Sequence, residues 1–178
     1  MKRIVVAIFL CFFVFWLGRI YSINRIAPDI TCYDVGESVV FGDLRLDFDE
    51  SHLYTPDEFK TRFGLTPDGE YDEYRIISLC IEVTNLSDRS IEWNEVFAVL
   101  DLGFESSVWA SSTDPMLLSQ VNRFSYDNLA PKESQKIWFM TEVNKECFKD
   151  SSWENIDDYQ YWYVISLVPQ KTAVRLIV

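Results

Sequence analysis

The feature that most constrains this chain is an unbroken apolar run near its N-terminus. Residues 4–17 read IVVAIFLCFFVFWL, follow Lys2 and Arg3, and contain no acidic residue. A basic pair followed by such a run is typical of segments that enter a translocon or a bilayer. A helix from residue 4 to Tyr21 would be about 27 Å long, close to a hydrocarbon core of about 30 Å. We therefore predict a membrane helix over residues 1–21.

Three interpretations of the run remain open from the residues alone. An uncleaved signal anchor is favoured, because the nearest small-residue cleavage pattern ends at Ala27 and places Arg25 where a small residue belongs. A cleaved signal peptide is the main alternative. A buried core helix is the third, although a helix without a polar face argues against it. Cys32 lacks the small preceding residues of a lipoprotein cysteine.

Positive charges flank the run on both sides and bear on its orientation. Lys2, Arg3 and the terminal amine lie before it, and Arg19 and Arg25 lie after it. The positive-inside rule leans toward a cytoplasmic N-terminus. We therefore expect a single-pass protein of the cell membrane whose domain faces outside.

The rest of the chain is acidic and about one domain long. Residues 29–178 hold all 28 acidic but only 12 of the 16 basic residues, a net charge of −16. Nucleic acid is excluded as a partner, because phosphate is repelled by such a surface. The charge keeps the domain soluble and is suited to a basic protein partner.

Alternating apolar residues and regular turn signals predict an antiparallel β-sandwich of seven or eight strands. The strongest strand is residues 74–84, and residues 91–102 are predicted to return as its antiparallel partner across a short polar turn. Residues 22–37 read as an extended stalk, so the domain is predicted to span residues 38–178. The other predicted strands are a β-hairpin or a kinked edge strand over 40–48, with a turn at Gly42–Asp43, and segments 108–110, 135–143, 159–168 and 171–178.

Two short helices are predicted as insertions between strands. Thr55 is a candidate N-cap, Pro56 suits the first turn, and Glu58 completes a capping box before Gly64 ends the helix over 56–63. Residues 114–118 form the second, which is capped by an aspartate and begins with a proline. The polar residues 144–158, which include a tryptophan, read as a loop.

No catalytic motif is present, so we expect a protein that is not an enzyme and needs no cofactor or metal. The lone His52 reads as an ordinary loop residue. The clusters Asp47, Asp49 and Glu50, and Glu70, Asp72 and Glu73, could in principle serve a carboxylate-dependent hydrolase or hold calcium, but 28 acids make close neighbours common by chance. Residues 85–87 match a glycosylation sequon, which has meaning only in a eukaryotic secretory pathway.

Trp109 and Trp153 are the candidate ligand-binding residues. Both lie in or beside predicted loops, and an exposed tryptophan beside acids suits peptide, sugar or cationic ligands. The alternative is that they pack over an open end of the sandwich. Among the cysteines, Cys80 lies in mid-strand, which leaves Cys32 and Cys147 as the pair for one disulfide if the domain faces an oxidising compartment.

The stretch from Tyr74 onward resembles the uncharacterised immunoglobulin-like extracytoplasmic domains of membrane-anchored or lipoprotein-type surface proteins of Gram-positive bacteria. The matching segments are VTNLSDRSIEW (83–93), LAPKES (129–134) and WENIDDYQYWYVISLVPQK (153–171). Lys132 stands where the family usually has glycine, which we expect to cost little in a type I turn. The resemblance implies an immunoglobulin-like sandwich outside the membrane and no catalytic residue.

These observations favour a membrane-tethered extracytoplasmic binding or accessory module. Its expected partner is an envelope or extracellular protein, basic in the electrostatic version of this hypothesis. An inhibitor or immunity-type protein that blocks one envelope enzyme or toxin is the alternative, and a carboxylate-dependent hydrolase is the third.

Overall fold

The computed structural model describes residues 12–20, 30–66, 73–100, 102–122, 128–167 and 170–178. Residues 12–20 are helical. The described strands are β1 Ile30–Asp34, β2 Ser38–Phe41, β3 Leu44–Tyr54, β4 Tyr74–Asn85, β5 Ile91–Glu92, β6 Gly103–Ser106, β7 Ala110–Ser111, β8 Asn128–Leu129, β9 Ser134–Asn144, β10 Tyr161–Ser166 and β11 Lys171–Arg175. The described helices are α1 Pro56–Phe63, α2 Trp93–Leu100, α3 Pro115–Val121 and α4 Asp150–Trp153, with 3₁₀ turns at Lys145–Cys147 and Ile156–Asp158.

The strands form a β-sandwich, as the sequence predicts. One sheet has the order β1-β11-β10-β6-β7 and the other β2-β3-β4-β9, with a two-stranded ribbon of β5 and β8 beside them. Every described pair is antiparallel except β1 with β11, which run parallel. The predicted number of seven or eight strands is too low, because β5, β7 and β8 are only two residues long and leave no alternation to detect.

Strand β4 is the centre of the four-stranded sheet and is buried on both faces. It pairs with β3 on one side and with β9 on the other along nearly its whole length. Ile77, Leu79 and Ile81 are fully buried toward the five-stranded sheet, and Ile76 and Cys80 are buried on the opposite face. A strand with both faces and both edges covered favours apolar residues, and in β4 the buried Ser78 is satisfied because its hydroxyl donates to the His52 carbonyl.

The main core fills the space between the two sheets. From the five-stranded sheet Phe104, Tyr161 and Tyr163 project into it, and the rings of Phe104 and Tyr163 meet edge to face with centroids 4.8 Å apart. Both tyrosine hydroxyls donate to backbone carbonyls, Tyr161 to Ile156 and Tyr163 to Leu100. Their polar atoms are therefore satisfied, and the rings contribute as large apolar groups.

A second apolar layer covers the outer face of the four-stranded sheet. Phe59 of α1 and Leu117 of α3 are buried there against Ile76 and Met140. The predicted capping box of α1 is confirmed in full, and the helix ends at Gly64, whose φ is 70°. The predicted cap of α3 is confirmed as well, because the Asp114 carboxylate accepts from two backbone amides of its first turn. The two predicted insertions are thus a third layer of the molecule.

The predicted return strand over residues 91–102 is wrong. Only Ile91–Glu92 is extended, and it pairs with β8, while Trp93–Leu100 is helix α2. The apolar residues Trp93, Val96, Phe97 and Leu100 follow the i, i+3, i+4, i+7 spacing of one helix face, and this face packs into the main core. The neighbours of β4 are consequently β3 and β9, not the segment that follows it in the chain.

The free edge of β9 is covered by the segment that carries α3. The Asp114 amide donates to the Met140 carbonyl at 2.8 Å. At the other end of α3, the Asn122 side chain accepts from the Trp138 amide at 2.7 Å and donates to the Trp138 carbonyl at 2.8 Å. The Asn122 side chain thus makes the two hydrogen bonds that a neighbouring strand would make with Trp138. It blocks an edge that could otherwise pair with another chain.

The N-terminal predictions have mixed outcomes. Strand β1 lies inside the predicted stalk, because Ile30–Asp34 pairs with β11 and so belongs to the sandwich from Ile30 onward. Residues 1–11 and 21–29, and with them most of the predicted anchor, lie outside the described residues. Within the described part of the chain, no helix has both the length and the apolarity needed to cross a membrane.

Several boundaries also differ from prediction. Of the predicted strand 108–110 only Ala110 is extended in a strand, which lies at Ala110–Ser111. Strand β10 is Tyr161–Ser166, shorter than predicted, since residues 159–160 lead into it from a 3₁₀ turn. The predicted loop 144–158 contains α4 and two 3₁₀ turns that pack on the core through buried Trp153 and Ile156.

Asn85, at the end of β4, holds two turns together. Its fully buried side-chain amide donates to the carbonyls of Arg89, Leu129 and Ala130, and its carbonyl accepts from the amide and hydroxyl of Ser87. The sequon is therefore a structural motif, because its nitrogen is buried and engaged. The expected type I turn is wrong at Lys132, whose φ of 63° is left-handed and costs a non-glycine residue about 1–2 kcal/mol.

We predict that Asn85→Ala lowers the unfolding free energy by about 2–4 kcal/mol, because it leaves buried carbonyls without donors. Asn85→Asp should be at least as damaging, since a carboxylate would face three carbonyl oxygens. Urea unfolding of the full chain measures both. Ser87→Ala is the matched control with an expected cost below about 1 kcal/mol, and equal losses for Asn85→Ala and Ser87→Ala would contradict this role.

Candidate binding site

A shallow, open cleft of about 540 Å³ lies on the outer face of the four-stranded sheet beside α1. It is lined by His52 and Tyr54 from β3 and by side chains of α1, namely Asp57, Glu58, Thr61 and Arg62. It brings together the single histidine of the chain, a phenol, two carboxylates and a guanidinium.

A β-bulge in β3 turns His52 and Tyr54 toward the cleft. The pairing of β3 with β4 shifts register between Phe48 and Glu50. Before the bulge Leu46 and Phe48 face the main core, and after it the even-numbered residues lie opposite the outward-facing Ser78 and Ile76 of β4. The sequence prediction of His52 as a loop residue is therefore wrong, because the extra residue breaks the alternation on which it relied.

A cluster of aromatic rings fixes the base of the cleft. Tyr54 meets Phe59 and Phe63 edge to face, with centroids 6.1 and 5.8 Å apart, and Phe63 meets Trp138 at 5.2 Å. The His52 ring lies 4.3 Å from that of Tyr54. Several edge-to-face contacts hold these rings in fixed positions relative to one another, so the floor of the cleft is preorganised.

The charges of the cleft are set by local hydrogen bonds and ion pairs. The backbone amide and hydroxyl of Thr55 donate to the Glu58 carboxylate and hold its pKa below its usual value. Arg62 donates to Glu50 at 3.0 Å and lies over the Trp138 ring. Burial is the main cause that raises the pKa of the Tyr54 phenol. At neutral pH the cleft therefore offers carboxylates beside a neutral phenol, with its cation already paired.

Most polar groups that line the cleft are engaged in local hydrogen bonds. The Thr61 hydroxyl donates to the Asp57 carbonyl within the helix, and the Glu58 carboxylate is engaged in the cap. Asp57 remains exposed at the rim. A carboxylate beside aromatic rings is the chemistry that attracts a lysine or arginine side chain.

The predicted ligand-binding tryptophans lie elsewhere, near the end of the sandwich where β10 begins. Trp153 is only 8% exposed and its indole nitrogen donates to Glu73. Trp109 is half-buried, with its ring stacked on Phe148 at 6.5 Å and edge-on to Tyr161. Phe148 also contacts Trp153. The two tryptophans are thus brought into one packed cluster, and the structure offers Trp153 no face for a ligand.

The described cysteines are all free thiols, so the predicted Cys32–Cys147 bridge is absent. Cys32 lies on β1, at one edge of the five-stranded sheet, whereas Cys147 precedes Phe148, which stacks on Trp109 between β6 and β7. Strands β1 and β6 are three spacings apart, about 14 Å, and a disulfide needs Cα atoms within about 7 Å.

The acidic clusters considered from the sequence are divided among separate ion pairs. Asp47 pairs with Arg45, Asp49 with Lys136 and Glu50 with Arg62. Glu73 pairs with Lys145, while Glu70 and Asp72 lie outside the described residues. Among the residues that the structure describes, no group of three or more potential ligands could hold a metal ion.

The fold and this cleft define a β-sandwich protein with a helical layer on one sheet. The chain belongs to the DUF5028 family, described as a domain of unknown function, whose model matches residues 30–172. The match begins at the first residue of β1, so the family domain includes the strand that the sequence suggested to be a stalk.

Two solved structures share the fold. A conserved hypothetical protein from Bacillus anthracis superposes with a TM-score of 0.51 at 13% identity, over 82% of this chain and 95% of its own. An uncharacterized beta-sandwich protein from Clostridium difficile 630 superposes with a TM-score of 0.51 at 12% identity, over 84% of this chain and 97% of its own. No curated protein matches the sequence.

We predict that Glu58→Ala destabilises the protein at neutral pH and not at low pH. The folded-state pKa of Glu58 is lowered, so its contribution is present above the unfolded value of about 4.5 and is lost as the pH falls through the folded value. Thermal unfolding at a series of pH values measures the difference from the wild type. Asp57→Ala, which keeps the capping box, is the control, and a pH-independent difference for Glu58→Ala would contradict the prediction.

We also predict that Cys80 resists thiol reagents while Cys32 and Cys147 react. Burial is the first cause that raises the pKa of the Cys80 thiol to about 12, and nearby Asp49 adds to it. Maleimide labelling of the native chain at pH 8, read peptide by peptide in a mass spectrometer, should modify Cys80 only after denaturant is added. Equal labelling rates for Cys80 and Cys147 would contradict this expectation.

Proposed function

We propose that the chain is a membrane-tethered, immunoglobulin-like binding module without catalytic activity, facing the outside of the cell. The observation that carries the proposal is the surface of residues 12–20. All seven large apolar side chains of this helix are exposed around its whole circumference, namely Phe12, Phe13, Val14, Phe15, Trp16, Leu17 and Ile20. Nothing in a folded aqueous domain uses such a surface, whereas a bilayer does.

The sequence before this helix supports the tether. Residues 4–11 continue the same apolar run toward Lys2 and Arg3, and together with residues 12–20 they approach the length of a membrane helix. The weak excess of positive charge before the run supports the outward orientation of the domain. The turn around Asn85, which the resemblance singles out, supports the immunoglobulin-like assignment because it couples two loops at one end of the sandwich.

The cleft beside α1 is the proposed binding surface. Its ligand would be a basic segment of an envelope or extracellular protein, with a lysine or arginine placed between Asp57 and the exposed ring of His52. The net charge of −16 on residues 29–178 supports a basic partner, because it accelerates the encounter at low salt.

The tether and the orientation are tested together on intact cells that express the tagged chain. A membrane-impermeant maleimide should label Cys147 without lysis and leave Cys80 unmodified, and the chain should stay in the membrane after extraction with alkaline carbonate. Labelling of Cys147 only after lysis would overturn the orientation. Release by carbonate would overturn the tether.

Binding is tested by impermeant crosslinking on the same cells, with mass spectrometry of the captured protein. We expect one or a few partners, retained less at high salt. Asp57→Asn should lower their affinity by about two- to fivefold, the effect of one partly screened charge. Asp88→Asn, at an acid 96% exposed and outside the cleft, is the control. Salt-independent capture with equal affinities for both variants would overturn the basic-partner proposal.

A further inference from the structure

One end of the five-stranded sheet carries the connection to the N-terminal helix. Strands β1 and β11 begin there, with Ile30 opposite Lys171, and β10 ends there because Ser166 lies opposite Thr172. Strand β6 also begins at this end, since Gly103 lies opposite Val164. We call this the Ile30 end.

Three large apolar side chains are exposed at the Ile30 end. Ile30 is 55%, Leu167 60% and Leu102 42% exposed. Leu102 and Leu167 line one shallow groove of about 320 Å³, which continues over Val164 and Gly103 on the outer face of the sheet. Ile30 lies on β1, Leu167 follows β10 and Leu102 precedes β6, so the three form a row across four neighbouring strands, about 15 Å at about 4.8 Å per strand. Lys171 of β11 lies opposite Ile30 and interrupts this row.

The backbone is tightly packed at this corner, around Gly103. Gly103 has a φ of 118°, and a Cβ there would lie 2.2 Å from the Ser111 carbonyl oxygen, so the segment 111–112 packs directly on a glycine. The nearest charges on this face are paired with each other, because Lys171 donates to the Glu105 carboxylate. The described part of the corner therefore combines exposed apolar side chains with one ion pair, whose Glu105 lines the groove.

The tether brings this corner to the bilayer. Only residues 21–29 separate the helical residues 12–20 from Ile30, and a fully extended connection of that length spans about 30–35 Å. Ile30 is the first described residue of the sandwich, so the Ile30 end is the part of the domain with the shortest reach to the membrane. The row of exposed apolar side chains lies at this same end.

The cleft lies at the opposite end. Tyr54 pairs with Ile76 near the start of β4, and Arg75 beside it forms an ion pair with Asp157 at 3.5 Å, next to the start of β10. Strand β10 runs from there to Ser166 at the Ile30 end. A domain that rests on the Ile30 end therefore points the cleft away from the membrane.

We propose that Ile30, Leu102 and Leu167 rest in the interface of the bilayer that holds the N-terminal helix, and so fix the orientation of the domain. This inference depends on the proposed tether. The occupant is lipid because the same end carries the exposed apolar row and the short connection to an apolar helix. Burying a few leucine and isoleucine side chains at a bilayer interface is favourable when a neighbouring anchor already holds the domain close to the membrane.

The test uses the full chain in vesicles of phosphatidylcholine and phosphatidylglycerol. Leu167→Cys and Leu102→Cys are compared with Ile177→Cys, which alters a residue 67% exposed that follows the end of β11, at the opposite end. Each is made with Cys11, Cys32 and Cys147 replaced by serine and carries a polarity-sensitive fluorophore. Brominated lipids then quench labels that lie at the interface.

We expect the labels at positions 167 and 102 to be quenched several times more strongly than the label at 177. Equal quenching of all three in a chain that resists carbonate extraction would overturn this inference and leave the tether standing. A chain that carbonate removes from the vesicles would overturn both. Quenching at 177 alone would place the opposite end on the membrane and overturn the orientation proposed here.

Discussion

The structure depends on one strand that is buried on both faces and paired on both edges. β4 contributes Ile77, Leu79 and Ile81 to the core between the sheets, while Ile76 on its other face supports α1 and α3. A buried position of such a strand can hold a polar side chain only where a partner satisfies it, as the His52 carbonyl does for the Ser78 hydroxyl. The cleft depends on this strand as well. Helix α1 is held beside β3 because its Phe59 is buried against Ile76 on the outer face of β4.

The edges of the sandwich are controlled by a few polar side chains. Asn122 satisfies both backbone groups of Trp138 on the edge of β9, and Asn85 satisfies three carbonyls where β4 ends. Each acts as a substitute for a missing strand or turn. A buried amide with several bonds specifies one arrangement of the loops around it, because every alternative leaves some of its partners unsatisfied.

Local patterns in the sequence predicted local features well. The cap of α1 at Thr55, the aspartate cap of α3 and the central strand over residues 74–84 all follow from side chains close in sequence. Prediction failed where the pattern was ambiguous or interrupted. Residues 93–100 carry apolar spacing for a helix within a β-rich chain, and the bulge after Phe48 reverses the alternation that would have placed His52 on a strand. Pairing partners such as β1 with β11 are set by distant packing that no local pattern encodes.

The role of β4 as the support of both apolar layers is tested most directly by native-state hydrogen exchange of the full chain, resolved to short peptides. We predict that amides of residues 76–83 exchange only through global unfolding, whereas those of the edge strand β2 and of α1 exchange through local opening. Equal, fast exchange in residues 76–83 and in β2 would contradict it. Such a result would mean that β4 opens as easily as an edge strand. Another strand would then be the main support of the fold and of the floor of the cleft.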